Sequence, residues 1–107
     1  MSALGLRGHI PRTERFSAVN APASADVARV HHSSPQPSSF LQIRNEQPSG
    51  GFGIKVYWLE ADYTADENYF VISAASEFEG PAETKEFWVR GDGGSADLTA
   101  IFYLRRG

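Results

Sequence analysis

Cysteine is absent from these 107 residues and methionine occurs once. Neither a disulfide nor a thiolate metal site can therefore support a small core. Long apolar runs are missing too. None approaches the roughly 20 residues of a membrane-spanning helix. The opening Met-Ser-Ala-Leu-Gly-Leu-Arg-Gly lacks the apolar centre and small-residue cleavage site of an export signal. The expectation is a protein made in the cytoplasm, with no membrane partner. A net charge of −3 offers no bulk attraction for nucleic acid. No stretch repeats its apolar residues with a convincing helical period.

What charge there is lies unevenly. Residues 1–38 carry Arg7, Arg12, Arg15 and Arg29 against Glu14 and Asp26, whereas residues 39–107 carry six basic and eleven acidic side chains. All three histidines, His9, His31 and His32, fall in the first part. Pro11, Pro22, Pro35 and Pro37 break helices there and favour extended backbone. Small polar stretches such as Ser-Ala-Val-Asn-Ala-Pro-Ala-Ser-Ala bury too little apolar surface to offset their ordering entropy. Two units follow: an extended irregular N-terminal arm at 1–38, with a short strand at 26–30, and a folded body at 39–107. A body of that size has a thin core, so the arm is expected to take its order from a companion.

The body reads as strands. Leu41 and Ile43 alternate with Gln42 and Arg44, and Ile54, Val56 and Trp58 alternate with Lys55, Tyr57 and Leu59. Tyr69–Ala74 is a short apolar run; Phe87 and Val89, or else Trp88, face inward from the next strand. Leu98, Ala100, Phe102 and Leu104 lie opposite Thr99, Ile101, Tyr103 and Arg105 in the longest strand. Residues 61–68 and 77–85 read as loops. The fold class is all-β: a small antiparallel sandwich or open barrel of five to six strands.

Candidate chemistry is sparse. The acidic pairs Glu60/Asp62, Asp66/Glu67 and Glu77/Glu79 sit in or beside loops, where solvated charge is ordinary. Asp92–Asp97 has oxygen donors but not the ligand spacing of a calcium loop, and a glycine hairpin turn explains it. Arg90-Gly91-Asp92 spells an integrin-binding tripeptide at a strand–turn junction. His31-His32 has no third ligand nearby, and neighbours on extended backbone point to opposite faces. No nucleophile elbow or phosphate loop is present, and Arg105-Arg106 is a weak phosphate signal. Trp58 and Trp88 are expected in the core or an interface, with stacking on sugar rings as the other use. No enzyme, cofactor or metal is expected.

The strand-and-turn order resembles that of small β-sandwich virion proteins of tailed phages, the capsid decoration or cement class. The likeness is carried by Phe-Leu-Gln-Ile-Arg-Asn-Glu, Val-Tyr-Trp, Tyr-Phe-Val-Ile-Ser-Ala-Ala and Phe-Trp-Val-Arg-Gly-Asp-Gly-Gly-Ser-Ala-Asp-Leu-Thr-Ala-Ile-Phe-Tyr-Leu-Arg-Arg. It implies a structural virion protein whose partner is the major capsid protein or another virion protein, working as a homo-oligomer such as a trimer. The arm would then lie along its partner, with Leu4, Leu6, Ile10 and Phe16 filling apolar pockets and Arg7, Arg12 and Arg15 meeting carboxylates. The alternative from the same pattern is a carbohydrate- or receptor-binding module of a fibre or tail.

Overall fold

The computed structural model describes residues 9–22, 24–33 and 37–105; within these, the side chains of residues 9 and 105 are left aside. Among the described residues eight strands and two short helices follow one another: β1 (His9–Ala18), α1 (Ala25–Ala28), β2 (Arg29–His31), β3 (Ser38–Asn45), β4 (Gly53–Tyr57), α2 (Glu60–Ala65), β5 (Phe70–Ile72), β6 (Glu77–Gly80), β7 (Glu86–Asp92) and β8 (Ala96–Arg105). The pairing has a simple logic. The chain folds back on itself at the β4–β5 connection, so that β1 pairs with β8, β2 with β7, β3 with β6 and β4 with β5. Rolling this double strand brings β3 beside β8 and β4 beside β7. Two antiparallel sheets result, ordered β1-β8-β3-β6 and β2-β7-β4-β5. This is the strand order of an eight-stranded jelly roll, an all-β sandwich.

The fold class is the one the alternation implies, with eight strands in place of five or six. The additional strands have identifiable origins. The segment expected as an arm supplies β1 and β2. Residues 9–18 are extended, as expected, but regular: each pairs in register with β8, from His9 opposite Arg105 to Ala18 opposite Ala96. On the core-facing side β1 carries Ile10, Arg12, Glu14, Phe16 and Ala18, of which only Ala18 is fully buried and Glu14 and Phe16 partly so. Two charges in the middle of that face hide the strand period from the sequence. The expected strand at 26–30 divides into α1, capped by Ser24 whose hydroxyl accepts from the Val27 N–H, and β2.

Between the sheets, Leu41, Ile43, Ile54, Val56, Phe87, Val89, Leu98, Ala100 and Phe102 are fully or almost fully buried. Trp88 is buried as well, on the opposite face of β7, where Tyr57, Tyr63 and Ala28 form a second cluster under the helices. Thus β7 is apolar on both faces because the sheet is covered on both. Helix α2, six residues long, takes up the first part of the segment expected as a loop at 61–68. It stops at Asp66, which takes the left-handed conformation (φ 54°) and returns its N–H to the carbonyls of Asp62 and Tyr63. No helix among the described residues is long and apolar enough to cross a membrane.

Candidate interaction surface

The direction of every backbone group on β1 follows from one bond in its neighbourhood. The Glu46 N–H donates to the Asp97 carbonyl at 2.9 Å. Residues 97, 99, 101 and 103 of β8 therefore face β3, and residues 96, 98, 100, 102 and 104 face β1. By register, the even residues of β1 bond to β8 and Pro11, Thr13, Arg15 and Ser17 turn outward. Pro11 falls in the outward set, where its missing N–H costs the ladder nothing. The result is a ten-residue edge strand whose outer side pairs with no strand among the described residues.

The side chains along that edge are basic and partly apolar. Arg12 and Arg15 are exposed, Ile10 is 38% exposed, and Phe16 is half-buried against the core. Neither arginine has an ion pair among the described residues. Arg15 shares a hollow of about 480 Å³ with Ser17, Glu46, Asp97 and Thr99. The Ser17 hydroxyl donates to the Asp97 carboxylate at 2.6 Å, and the Thr99 hydroxyl to Glu46 at 2.6 Å. Of the residues expected to bind a partner, Ile10, Arg12, Arg15 and Phe16 thus share one strand; Leu4, Leu6 and Arg7 lie outside the described residues.

At the opposite margin the two sheets part. Trp58, Leu59, Phe70, Phe78, Pro81 and Ala82 line an apolar groove of about 570 Å³ between β5 and β6. The Trp58 ring is half-buried and wedged among Phe70, Phe78 and Phe87, at centroid distances of 5.6, 5.9 and 6.1 Å. Sequence reading placed Glu77–Lys85 in a loop and so missed this groove; the alternation of Phe78 between Glu77 and Glu79 is the signal that marks β6.

The outer face of the second sheet is held by a knot of charge and aromatic rings. Tyr57 is fully buried and donates its hydroxyl to Asp66 in a short hydrogen bond. The Arg90 guanidinium lies 4.5 Å over the Tyr63 ring and donates to the Tyr63 carbonyl at 3.2 Å and the Tyr57 hydroxyl at 3.4 Å. Lys55 stands 4.7 Å over Tyr69 and pairs with Asp66. Burial, then the bond to Asp66, pushes the Tyr57 hydroxyl up to about 12, while the same bond holds the Asp66 carboxyl below its ordinary value. Because the folded value exceeds the unfolded one, this contribution to stability is complete below pH 10 and disappears as pH rises through 12. Ultraviolet titration of tyrosinate should therefore show one of the four tyrosines ionising only near 12, with unfolding, and Asp66→Asn should bring that step closer to 10.

This arrangement also accounts for Arg90-Gly91-Asp92. Arg90 is occupied by the tyrosines and Gly91 is buried in β7, so the tripeptide is not displayed as an adhesion loop. Among the acidic pairs, Glu77 meets Arg44 and Gln42, Asp62 accepts from Asn68, and Asp66 serves Tyr57. His31 is exposed while His32 is buried against Phe102 at 4.7 Å, on opposite sides of the chain. Burial and the nearby Lys85 hold His32 below its ordinary value, opposed by the Thr84 backbone and Glu14. Among the described residues no three His, Asp or Glu side chains are grouped to hold a metal ion. Comparison with known proteins finds neither a matching family model nor a matching curated sequence.

Proposed function

We propose that the protein is a structural component of a tailed-phage virion that decorates or cements the capsid, binding other subunits and catalysing nothing. The single observation that carries this reading is the β1 edge, which pairs with no further strand among the described residues: Thr13, Arg15 and Ser17 turn N–H and C=O groups outward beside Arg12 and Arg15, which have no ion pair there. Such an edge is a template for strand addition. The jelly roll is an architecture that capsid and lectin domains share; fold alone does not choose between them. The carbohydrate-binding alternative ranks second, because Trp88 lies under the helices and Trp58 is wedged into the core margin.

The test is co-sedimentation of the purified chain with shells assembled from the major capsid protein of the same virion. Binding is expected to weaken at least about tenfold when residues 1–8 are removed and Arg12 is changed to glutamate, with the melting temperature kept. Failure of the full chain to bind those shells, together with its absence from purified particles, would overturn the reading.

A further inference from the structure

The first sheet has two edges, and they are opposite in charge. Its far edge, β6, is oriented by two backbone bonds: the Asn45 N–H donates to the Ser76 carbonyl at 3.0 Å, and the Ala82 N–H to the Ser39 carbonyl at 3.4 Å. Residues 76, 78, 80 and 82 therefore face β3, and Glu77 and Glu79 turn their N–H and C=O groups outward. Their carboxylates project on the outer face of the sheet, since Phe78 between them packs inward against the core. Glu77 is engaged by Arg44 and Gln42. Glu79 has no ion pair among the described residues, and neither has Arg15, which projects on the same outer face from β1.

The strand directions match as well. Each step of β1-β8-β3-β6 is antiparallel, so β1 and β6 run in opposite senses. A second copy displaced along the sheet brings its β6 antiparallel to β1, and the alternation continues unbroken across the joint.

We propose that the β1 edge of one copy adds to the β6 edge of the next, with Arg15 opposite Glu79 and Ser17 opposite Glu77. This deepens the assembly reading above by naming the occupant of β1. In this register the outward backbone groups of Arg15 and Glu79 exchange two hydrogen bonds, and a cross-strand ion pair forms beside them. On the core-facing side Phe16 meets Phe78, and the joint covers the β6 rim of the apolar groove. Pro81, which lacks an N–H, ends the ladder opposite Thr13. The contact is heterologous, so copies close into a ring or extend as a filament. Each joint uses only the four residues of β6. A single joint is weak, and ring closure or a surface that concentrates the copies sets the assembled state.

Sedimentation velocity in low salt, at concentrations up to about 1 mM, reads the association. The wild-type chain is expected to self-associate. Arg15→Glu and Glu79→Arg, each checked for fold by circular dichroism, are expected to weaken association at least about tenfold, because each apposes like charges. An equimolar mixture of the two variants should restore it, since every joint between unlike copies then pairs opposite charges. Glu79→Arg reads the joint from the other edge, so a folding failure of Arg15→Glu leaves the test standing. A wild-type monomer at the highest concentration overturns the inference. So does association unchanged by Glu79→Arg, which gives β1 to another β1 edge or to a foreign chain, or a mixture that stays dissociated. A chain that associates without binding shells removes the virion reading alone; a monomer that binds shells removes this inference alone.

Discussion

Gly91→Ala is expected to lower the melting temperature by on the order of 15 °C, corresponding to about 3 kcal/mol for a domain of this size. Gly91 is buried in β7 opposite Ile54, and its N–H donates to the Val19 carbonyl at 2.8 Å. A methyl group built on it would lie 1.9 Å from the Gly94 carbonyl oxygen and 2.9 Å from that of Ala18. Both obstacles are backbone. Relief requires moving the β7–β8 turn and the end of β1 together, which breaks the bond to Val19 as well. Gly94→Ala is the internal comparison. Its methyl would meet the Phe52 ring at 2.4 Å, but that ring is half-exposed and can swing away, so about 1 kcal/mol or less is expected. Thermal unfolding followed by circular dichroism separates the two. Equal melting temperatures would mean that neither the Gly94 carbonyl nor that of Ala18 lies against Gly91, so that the β7–β8 turn and the end of β1 are placed otherwise than described.

That outcome matters because the order of residues 9–33 is where sequence reading and structure differ most. The sequence argues that a proline-rich, polar segment has too little apolar surface to fold. The structure answers with an edge strand, which needs little. β1 anchors through Phe16 and Ala18 at one end and through ladder bonds to β8 along its length, and backbone bonds carry no side-chain signature. Pro11, read as a helix breaker, is also a residue that an outer edge tolerates. β2 buries Val30 alone, a single residue that shows no period. The central strands were legible because one face enters the core: Leu98, Ala100, Phe102 and Leu104 are buried there while Thr99, Ile101 and Tyr103 are only partly covered.

The interaction surface was legible in part for the same reason. Arg12, Arg15, Ile10 and Phe16 were singled out as a basic and apolar set, and they do share one strand. Their alternation was not visible: Arg12 and Phe16 point to the core side and Arg15 to the outer side, a distinction set by the pairing with β8. The acidic β6 edge was missed because Gly80-Pro81 reads as a loop, and a four-residue strand ending there offers only Phe78 as a buried position. Nor could Tyr57, Asp66 and Arg90 be connected in advance, since the helix between them is too short for a periodic signal.

Asn45 illustrates a residue visible in the pattern whose task was not. It closes the Ile43-Arg44-Asn45 strand end and is 1% exposed. Its side-chain amide donates to the carbonyls of Phe52 and Ile72, both at 3.0 Å, and its side-chain oxygen accepts the Gln47 N–H at 2.9 Å. One side chain from the first sheet thereby satisfies backbone groups at both ends of the β4–β5 hairpin in the second. Asn45→Ala strands those carbonyls and opens a small void, for an expected loss of about 3 kcal/mol and roughly 15 °C. Asn45→Leu fills the void without the bonds and should recover only a minor part. Asn45→Asp is the sharper probe. It replaces the donor with a second acceptor and sets a buried carboxyl against two carbonyl oxygens. Its ionised form is disfavoured in the folded state, so its deficit relative to wild type should grow as pH rises above the ordinary carboxyl value and shrink below it. Chemical denaturation at pH 4 and pH 7 reads both terms. If Asn45→Leu proves as stable as wild type, volume and not hydrogen bonding fixes this corner, and the two sheets are joined there by packing alone.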